Sequence, residues 1–177
     1  GLSQGQTAPS TATNRGEMLK PYVAKQKEVG VKYDAGRVGG SLAFFRTDKP
    51  RAFLNSSNPF GTYGKDRHQG LELAVQGEAT QGLRLLGGMT WLDAKQQATG
   101  SATTDGKRVI GVPEVQANIG AEWDVPGVRG LAVDGRLVHT GSSYANATNT
   151  LKVGGWNRLD LGVRYLTEVQ GKLVTLR

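Results

Sequence analysis

The residues of this chain that could do acid–base or metal chemistry are two histidines and a set of Asp, Glu and Arg side chains. His68 and His139 lie far apart in the sequence, whereas a metal site requires three or four ligands held together. There is no Cys, so the chain has neither a thiolate metal site nor a disulfide. We therefore expect no catalytic residues, no metal site and no cofactor, and we predict that the chain is not an enzyme.

The charged side chains recur at alternate positions within several segments. Alternate residues of a strand point to one face of a sheet. We therefore predict a hydrogen-bonded ladder of charges on one face rather than a catalytic acid–base pair. The members of this predicted ladder are Glu28, Lys32, Glu72, Arg84, Asp134, Arg136, Asp160 and Arg164.

Eight segments alternate between apolar and polar residues, which is the pattern of β-strands with two different faces. No segment approaches the ~20 consecutive apolar residues of a transmembrane helix. The composition includes 26 Gly, which favours turns and disfavours long helices. The predicted strands cover residues 26–33, 38–47, 69–77, 83–92, 115–123, 131–140, 158–165 and a last strand from about residue 173.

Short and long connections join these strands in alternation. This rhythm is typical of a transmembrane β-barrel, whose turns are short on the periplasmic side and whose loops are long on the outside. The predicted short turns cover residues 34–36, 80–82, 126–130 and 168–171, and the predicted long loops cover residues 48–66, 95–112 and 141–155.

Two architectures produce such alternation: a soluble sandwich with a protein core and a membrane barrel with a lipid-facing surface. The predicted strands have about ten residues, close to the ~9–11 of a tilted membrane strand. Aromatic residues stand at the ends of apolar faces, where interfacial girdles occur. These are Tyr33, Trp91, Trp123 and Tyr165. We therefore predict an all-β, antiparallel transmembrane β-barrel segment of about eight strands.

The barrel interpretation assigns the apolar face to lipid. A charge at Val31 or Ile119 should impair assembly, and the same charge at Gly30 or Asn118 should be tolerated better. The formal net charge of +7 does not indicate nucleic-acid binding, because the Lys and Arg residues are dispersed among acidic residues.

An ordered set of short motifs runs along nearly the whole chain. It comprises Asn14, residues 19–21 (LKP), 25–33 (KQKEVGVKY), 70–73 (GLEL), 111–113 (GVP), 159–165 (LDLGVRY) and 171–177 (GKLVTLR). In its residues and their order, this set resembles the TonB-dependent siderophore receptors of the bacterial outer membrane.

The resemblance implies a barrel of roughly 22 strands that is plugged by an N-terminal domain and imports ferric siderophores. Residues 1–177 would then be a fragment of the barrel domain, without the plug and the final strands. Its partners would be a ferric siderophore, the lipid and lipopolysaccharide of the outer membrane, and TonB through the absent N-terminal region. Iron would stay within the siderophore.

The same resemblance implies that external loops contact the chelate through aromatic and hydrogen-bonding side chains. The candidates are Arg51, Phe53, Phe60 and Tyr63 in the first long loop, and Tyr144 and Trp156 around the third. These residues could instead pack the loops together. Two other functions stay open: a complete eight-stranded barrel serving as an anchor or adhesin, and a soluble β-sandwich that binds carbohydrate.

Overall fold

The computed structural model describes residues 6–54 and 57–177. Every regular element in these ranges is a strand, and none of the described residues belongs to a helix able to span a membrane. The strands are β1 (Lys25–Asp34), β2 (Val38–Leu54), β3 (Phe60–Thr80), β4 (Leu83–Gln97), β5 (Val115–Asp124), β6 (Leu131–Thr140), β7 (Ser143–Tyr144), β8 (Lys152–Val153), β9 (Trp156–Val169) and β10 (Lys172–Leu176).

Eight of the strands form one antiparallel sheet in the order β1-β2-β3-β4-β5-β6-β9-β10. Each strand pairs with its neighbour in the chain, except that the small β7–β8 hairpin interrupts the connection from β6 to β9. Within the described ranges, β1 and β10 stand at the two ends of the sheet and do not pair with each other. The antiparallel all-β prediction and all eight predicted strands are confirmed.

The predicted long loops are too long, because the strands beside them continue beyond the apolar alternation. β2 and β3 pair through Pro50 and Lys65 up to Leu54 and Phe60, well inside the predicted loop of residues 48–66. β4 likewise continues to Gln97. Around Pro50 and Lys65 both faces of β2 and β3 carry polar residues, so apolar–polar alternation no longer marks these strands, although the backbone ladder continues.

The predicted short turns are confirmed, and all of them lie at one end of the sheet. The first shows the local chemistry: Gly36 has a φ of 81°, in the left-handed region, and its N–H donates to Asp34 Oδ1 at 2.7 Å. Glycine adopts this conformation without the steric cost that a Cβ brings. The turn therefore reverses the chain within three residues between β1 and β2.

The apolar face of the sheet is not covered by protein. Leu161 is 78% exposed, Trp91 61% and Ile119 58%, and the buried apolar residues of the described ranges are four alanines. A soluble sandwich buries its apolar face against a second sheet. An apolar face that no protein covers over eight strands instead matches the lipid-facing surface of a membrane barrel.

Aromatic residues border this apolar face at both ends. Tyr33, Trp123 and Tyr165 lie near the short turns, and Trp91 lies towards the long loops. Leu83, which is level with Trp123, and Trp91 are eight positions apart on β4, which is about 26 Å along the strand. This separation suits the apolar band of an outer-membrane barrel, which is about 25 Å tall.

The polar face lines a trough of about 760 Å³ that is bordered by β1 to β6. Near the short turns, part of the predicted charge ladder forms. Arg84 lies 2.5 Å from Glu122 and 2.8 Å from Asp124, and Arg164 reaches Glu122 at 3.0 Å. The guanidinium groups thus join β4, β5 and β9 on the inner face, which confirms that this face holds paired charges.

The expectation for Gly30 is wrong in one respect. A Cβ built on Gly30 would lie 2.7 Å from the Leu42 carbonyl oxygen and 3.0 Å from the Ala43 Cβ. Any side chain at this position would press on the backbone of β2, whatever its charge. Asn118, which already carries a side chain on the inner face, is therefore the valid position for comparison with Ile119.

Candidate ligand-binding site

Gln96 is the central residue of a polar junction between the long loops. It is the largest fully buried side chain of the described residues. Its Oε1 accepts a hydrogen bond from Arg51, and its Nε2 donates to the carbonyls of Arg108 at 2.9 Å and Ala147 at 2.8 Å. One amide therefore connects the β2–β3 hairpin with the second and third long loops. We call this cluster of Arg51, Gln96, Arg108 and Ala147 the loop junction.

Two asparagines complete the contact between the second and third loops. Asn149, with a φ of 58°, accepts from the Arg108 N–H at 2.6 Å and donates to the Arg108 carbonyl at 3.1 Å. Asn146 accepts from the N–H groups of Thr150 and Leu151 at 3.0 and 3.1 Å and thereby closes the tip of the third loop. The two loops therefore form one hydrogen-bonded unit.

The N-terminal segment packs on the first loop. The side-chain amide of Asn14 donates to the Phe60 carbonyl at 2.9 Å and accepts from the Phe60 N–H at 2.8 Å. It thereby makes the same pair of hydrogen bonds as the backbone of a residue on a neighbouring strand. Beside it, the Thr13 N–H donates to the Asn58 carbonyl at 3.0 Å, and Asn58 Nδ2 donates to the Thr11 carbonyl at 2.7 Å. This segment therefore lies with the long loops, at the end of the sheet away from the short turns.

Four of the six predicted ligand-contact residues lie near the β2–β3 tip, namely Arg51, Phe53, Phe60 and Tyr63. Phe53 and Tyr63 form an edge-on aromatic pair with ring centroids 5.7 Å apart. Arg51 lies on the inner face, bound to Gln96 and 3.4 Å from Asp66. This arrangement presents aromatic edges and a partly neutralised guanidinium, which can stack on and donate to an organic chelator.

Phe60 begins β3 and pairs with Leu54 at the same tip, where Asn14 holds its backbone. The other two predicted residues lie around the third loop. Tyr144 lies in β7 and accepts from the Gly111 N–H at 2.8 Å, which ties it to the second loop. Trp156 starts β9, is 49% exposed and pairs with Thr140. The structure therefore places all six at the long-loop end and brings Phe53 and Tyr63 into direct ring contact.

The two histidines lie on opposite faces of the sheet. His68 is on the inner face of β3, level with Thr47. His139 is on the outer face of β6, and its Nδ1 lies 2.7 Å from Asn157 Oδ1 on β9. In the described part of the chain, no group of three His, Asp or Glu residues could hold a metal ion.

Gln96 is the site residue that the sequence prediction missed. The prediction placed it in a loop of residues 95–112, where a side chain has no assigned direction. The alternation of β4 continues through Ala94 to Gln96, and both side chains are buried on the inner face. Extending the predicted strand of residues 83–92 by four residues would have shown the direction of the Gln96 side chain, but not its partners on other loops.

Comparison with known proteins gives one consistent result. The family described as "TonB dependent receptor-like, beta-barrel" matches residues 1–177. The ferrichrome receptor FcuA of Yersinia enterocolitica is 40% identical over 99% of this chain and 24% of its own length. The structure of BauA, the ferric preacinetobactin receptor from Acinetobacter baumannii, superposes with a TM-score of 0.89 at 38% identity and covers 99% of this chain and 27% of that protein.

The chain spans about a quarter of the length of these relatives. Their antiparallel barrel fold agrees with the uncovered apolar face, the inner charge ladder and the separation of short turns from long loops. Neither of the alternatives, a small anchor barrel or a soluble sandwich, has support among them. The chain belongs to the TonB-dependent receptor β-barrel family of the Gram-negative outer membrane.

Proposed function

We propose that residues 1–177 form part of the wall and the external loops of a receptor that takes up ferric siderophores with energy delivered by TonB. The observation that carries the proposal is the combination of an uncovered apolar face with a polar inner trough and a hydrogen-bonded loop junction at one end. The relatives, named as receptors for ferrichrome and for ferric preacinetobactin, support ferric chelates as the class of cargo.

Each surface then has a distinct task. The outer face contacts lipid, and the inner face contributes to the lumen. Iron arrives within its chelator, so the chain supplies no metal ligands, holds no cofactor and performs no catalytic step. Arg51 and the Phe53–Tyr63 pair contact the chelate from the first loop, with Phe60, Tyr144 and Trp156 around them. A TonB contact and a plug would belong to parts of the receptor outside these residues.

Growth on iron chelates tests the proposed function. A strain that lacks its own receptors receives the full-length gene and is offered a panel of ferric siderophores as the sole iron source. We expect growth on at least one chelate, and loss of that growth when TonB is deleted. If the receptor is present in the outer membrane and no chelate supports growth, the proposed function is wrong.

An alanine scan tests the six contact residues. Each variant is made in the full-length receptor, and its affinity for the active chelate is measured by fluorescence quenching. We expect a loss of roughly tenfold, or about 1.4 kcal/mol, for at least Arg51 and Tyr63. Arg129 and Tyr165, which lie at the short-turn end, serve as matched controls. Unchanged affinity in all six variants would remove this site assignment and leave the growth result intact.

A further inference from the structure

The pairing of β2 with β3 is irregular beside the predicted contact residues. Partners run in regular order to Arg51 and Gly64, and the next pair is Ala52 and Thr62. Tyr63 is therefore an extra residue of β3 without a register partner on β2, which is the definition of a β-bulge. A bulge changes the direction in which the extra side chain points.

The Tyr63 ring lies on the inner face of the sheet as a result. Gly64 occupies an inward position opposite Arg51, so regular alternation along β3 would aim Tyr63 outward. The ring instead lies edge-on to Phe53, with centroids 5.7 Å apart. Phe53 pairs with Gly61 and, two residues after Arg51, faces inward. The inserted residue thus moves one aromatic side chain from the outer face to the inner face.

Gly61 leaves the space that the Tyr63 ring occupies. A Cβ built on Gly61 would lie 2.8 Å from both Cζ and Oη of Tyr63 and 3.0 Å from its Cε2. Carbon atoms in contact are normally about 3.5–4.0 Å apart, so an alanine at position 61 would displace the ring. The clash involves the far end of a side chain and not the backbone, so the ring can move while the strands stay paired.

Gly64 has a different role on the other side of the bulge. A Cβ built there would lie 2.8 Å from the Ala98 carbonyl oxygen, 2.9 Å from the Gln97 carbonyl oxygen and 3.1 Å from the Phe53 ring. The start of the second long loop therefore approaches the hairpin backbone closely at this position. Gly64 permits that close approach, whereas Gly61 accommodates the aromatic ring itself.

The two rings differ in exposure. Tyr63 is 43% exposed, whereas Phe53 is half-buried. The Phe53 ring lies against Gly64 and 3.9 Å from the position of a Cβ on Gly100, in the second loop. Phe53 therefore supports the Tyr63 ring from the protein side, and Tyr63 presents the accessible aromatic surface of the pair.

We propose that this bulge positions Tyr63 for recognition of the chelate and that Gly61 is its positioning residue. The bulge places an exposed ring on the same face as Arg51, so that an organic group can stack on the ring and accept from the guanidinium. Gly61 itself does not contact the chelate in this arrangement. The inference rests on the proposed function, because the ring is positioned for a cargo that the receptor binds.

A double-mutant cycle in the full-length receptor tests the proposal. The variants are Gly61→Ala, Tyr63→Ala and the two together, and affinity for the active chelate is measured by fluorescence quenching. Gly154→Ala is the matched control, because it adds the same methyl group at the long-loop end where a Cβ would have no neighbour within 4 Å. A heat-modifiability gel confirms that each variant is a folded barrel before affinity is measured.

We expect Gly61→Ala to weaken chelate binding at least fivefold when Tyr63 is present and less than twofold when position 63 is already alanine. Gly154→Ala should change affinity less than twofold. A loss from Gly61→Ala that is the same with and without the Tyr63 ring would overturn the proposal, because it would show a general effect on the loop. Unchanged affinity in Gly61→Ala or in Tyr63→Ala would overturn it as well.

Cross-linking tests the bulge without any chelate. Residues 1–177 contain no Cys, so cysteine pairs can be introduced into a full-length receptor that lacks other cysteines. We expect Phe53→Cys with Tyr63→Cys to be joined by a short bifunctional thiol reagent, because both side chains face inward. Regular pairing would instead place Tyr63 opposite Ala52. A disulfide between Ala52→Cys and Tyr63→Cys, with no cross-link between positions 53 and 63, would overturn the bulge and the proposal.

Growth on iron chelates separates this inference from the proposed function. Normal growth of the unmodified receptor together with unchanged affinity in Gly61→Ala would refute the positioning role alone. If no chelate supports growth although positions 53 and 63 cross-link, the proposed function is refuted together with the positioning role that depends on it.

Discussion

At the scale of single residues, two polar side chains organise much of the long-loop end. Gln96 forms hydrogen bonds to three separate segments through its side-chain carbonyl and its amide nitrogen. Asp48 lies beyond the apolar band and attracts three cations to one carboxylate. Gln96 connects loops, and Asp48 connects cations, that strand pairing alone does not join. Single substitutions at these two positions therefore have clear expected results.

Replacing Gln96 with Ala should loosen the second and third loops together. The substitution removes three hydrogen bonds and leaves the half-buried Ala147 carbonyl without this donor, at a local cost of about 1–3 kcal/mol, while Asn149 still donates to the Arg108 carbonyl. Hydrogen exchange of residues 98–114 and 141–155 in the full-length receptor should accelerate. Gln97→Ala, on the adjacent outward-facing residue, is the control. Similar exchange in the two variants would show that Gln96 does not hold the loops.

The Asp48 carboxyl should remain ionised to unusually low pH. The hydrogen bond from Arg67, followed by the contacts with Lys65, lowers its pKa from 3.8 to about 2. Because folding lowers the pKa, the ionised group stabilises the fold above its usual pKa, and this contribution is lost as the pH falls from about 4 through about 2. The melting-temperature difference between the receptor and its Asp48→Asn variant should therefore vanish over this range. A difference that persists below pH 2 would contradict this assignment.

At the scale of elements, each strand has one lipid-facing and one inner face, and the two faces tolerate different residues. Cross-strand pairing places Ile119 opposite Leu137 on the outer side and Asn118 opposite Val138 on the inner side. The β5 backbone is the same for both positions, so the environment of the side chain alone distinguishes them. This makes β5 the best strand for testing the assignment of faces.

Ile119→Arg should impair barrel assembly much more than Asn118→Arg. An arginine facing mid-bilayer lipid costs about 2–4 kcal/mol, whereas a polar lumen accommodates it at lower cost. The folded fraction of each variant of the full-length receptor is measured by heat-modifiability gel electrophoresis. Val31→Lys on β1 should behave like Ile119→Arg. Equal defects for Ile119→Arg and Asn118→Arg would refute the assignment of the two faces.

At the scale of the whole molecule, the two edge strands of the sheet, β1 and β10, require pairing partners. The outer edges of β1 and β10 have no partner among the described residues, and unpaired backbone groups in a bilayer cost several kcal/mol each. We therefore retain the hypothesis that these residues are a segment of a larger barrel, in which further strands pair with both edges.

Residues 1–177 expressed alone should neither form a heat-modifiable barrel nor restore chelate-dependent growth, whereas the full-length gene should do both. The physical reason is the edge cost, which only strands outside this segment can remove. Both forms are directed to the outer membrane and compared by gel and by growth. A closed, heat-modifiable barrel from residues 1–177 alone would instead favour the complete eight-stranded anchor or adhesin.

Much of the fold was predictable, because side-chain alternation is a local property with a period of two. Val115, Ala117 and Ile119 show the outer face of β5 without any knowledge of its neighbours. The outer ends of β2 and β3 were missed because, around Pro50 and Lys65, polar residues occupy both faces and the apolar–polar alternation disappears. The long-loop location of the six candidate contact residues was predictable, but the ring contact between Phe53 and Tyr63 was not.

The sequence by itself therefore determined the strands, their two faces and the end at which the long loops lie, since these follow from periodicity and turn chemistry. Tertiary structure alone decided which residues meet across strands and loops. Lys27, Arg46 and Asp93 come from three distant parts of the chain and form one row only through backbone register. Gln96 meets Ala147 only because two loops fold over the same end of the sheet. Such contacts depend on pairing between remote segments, which no local pattern records.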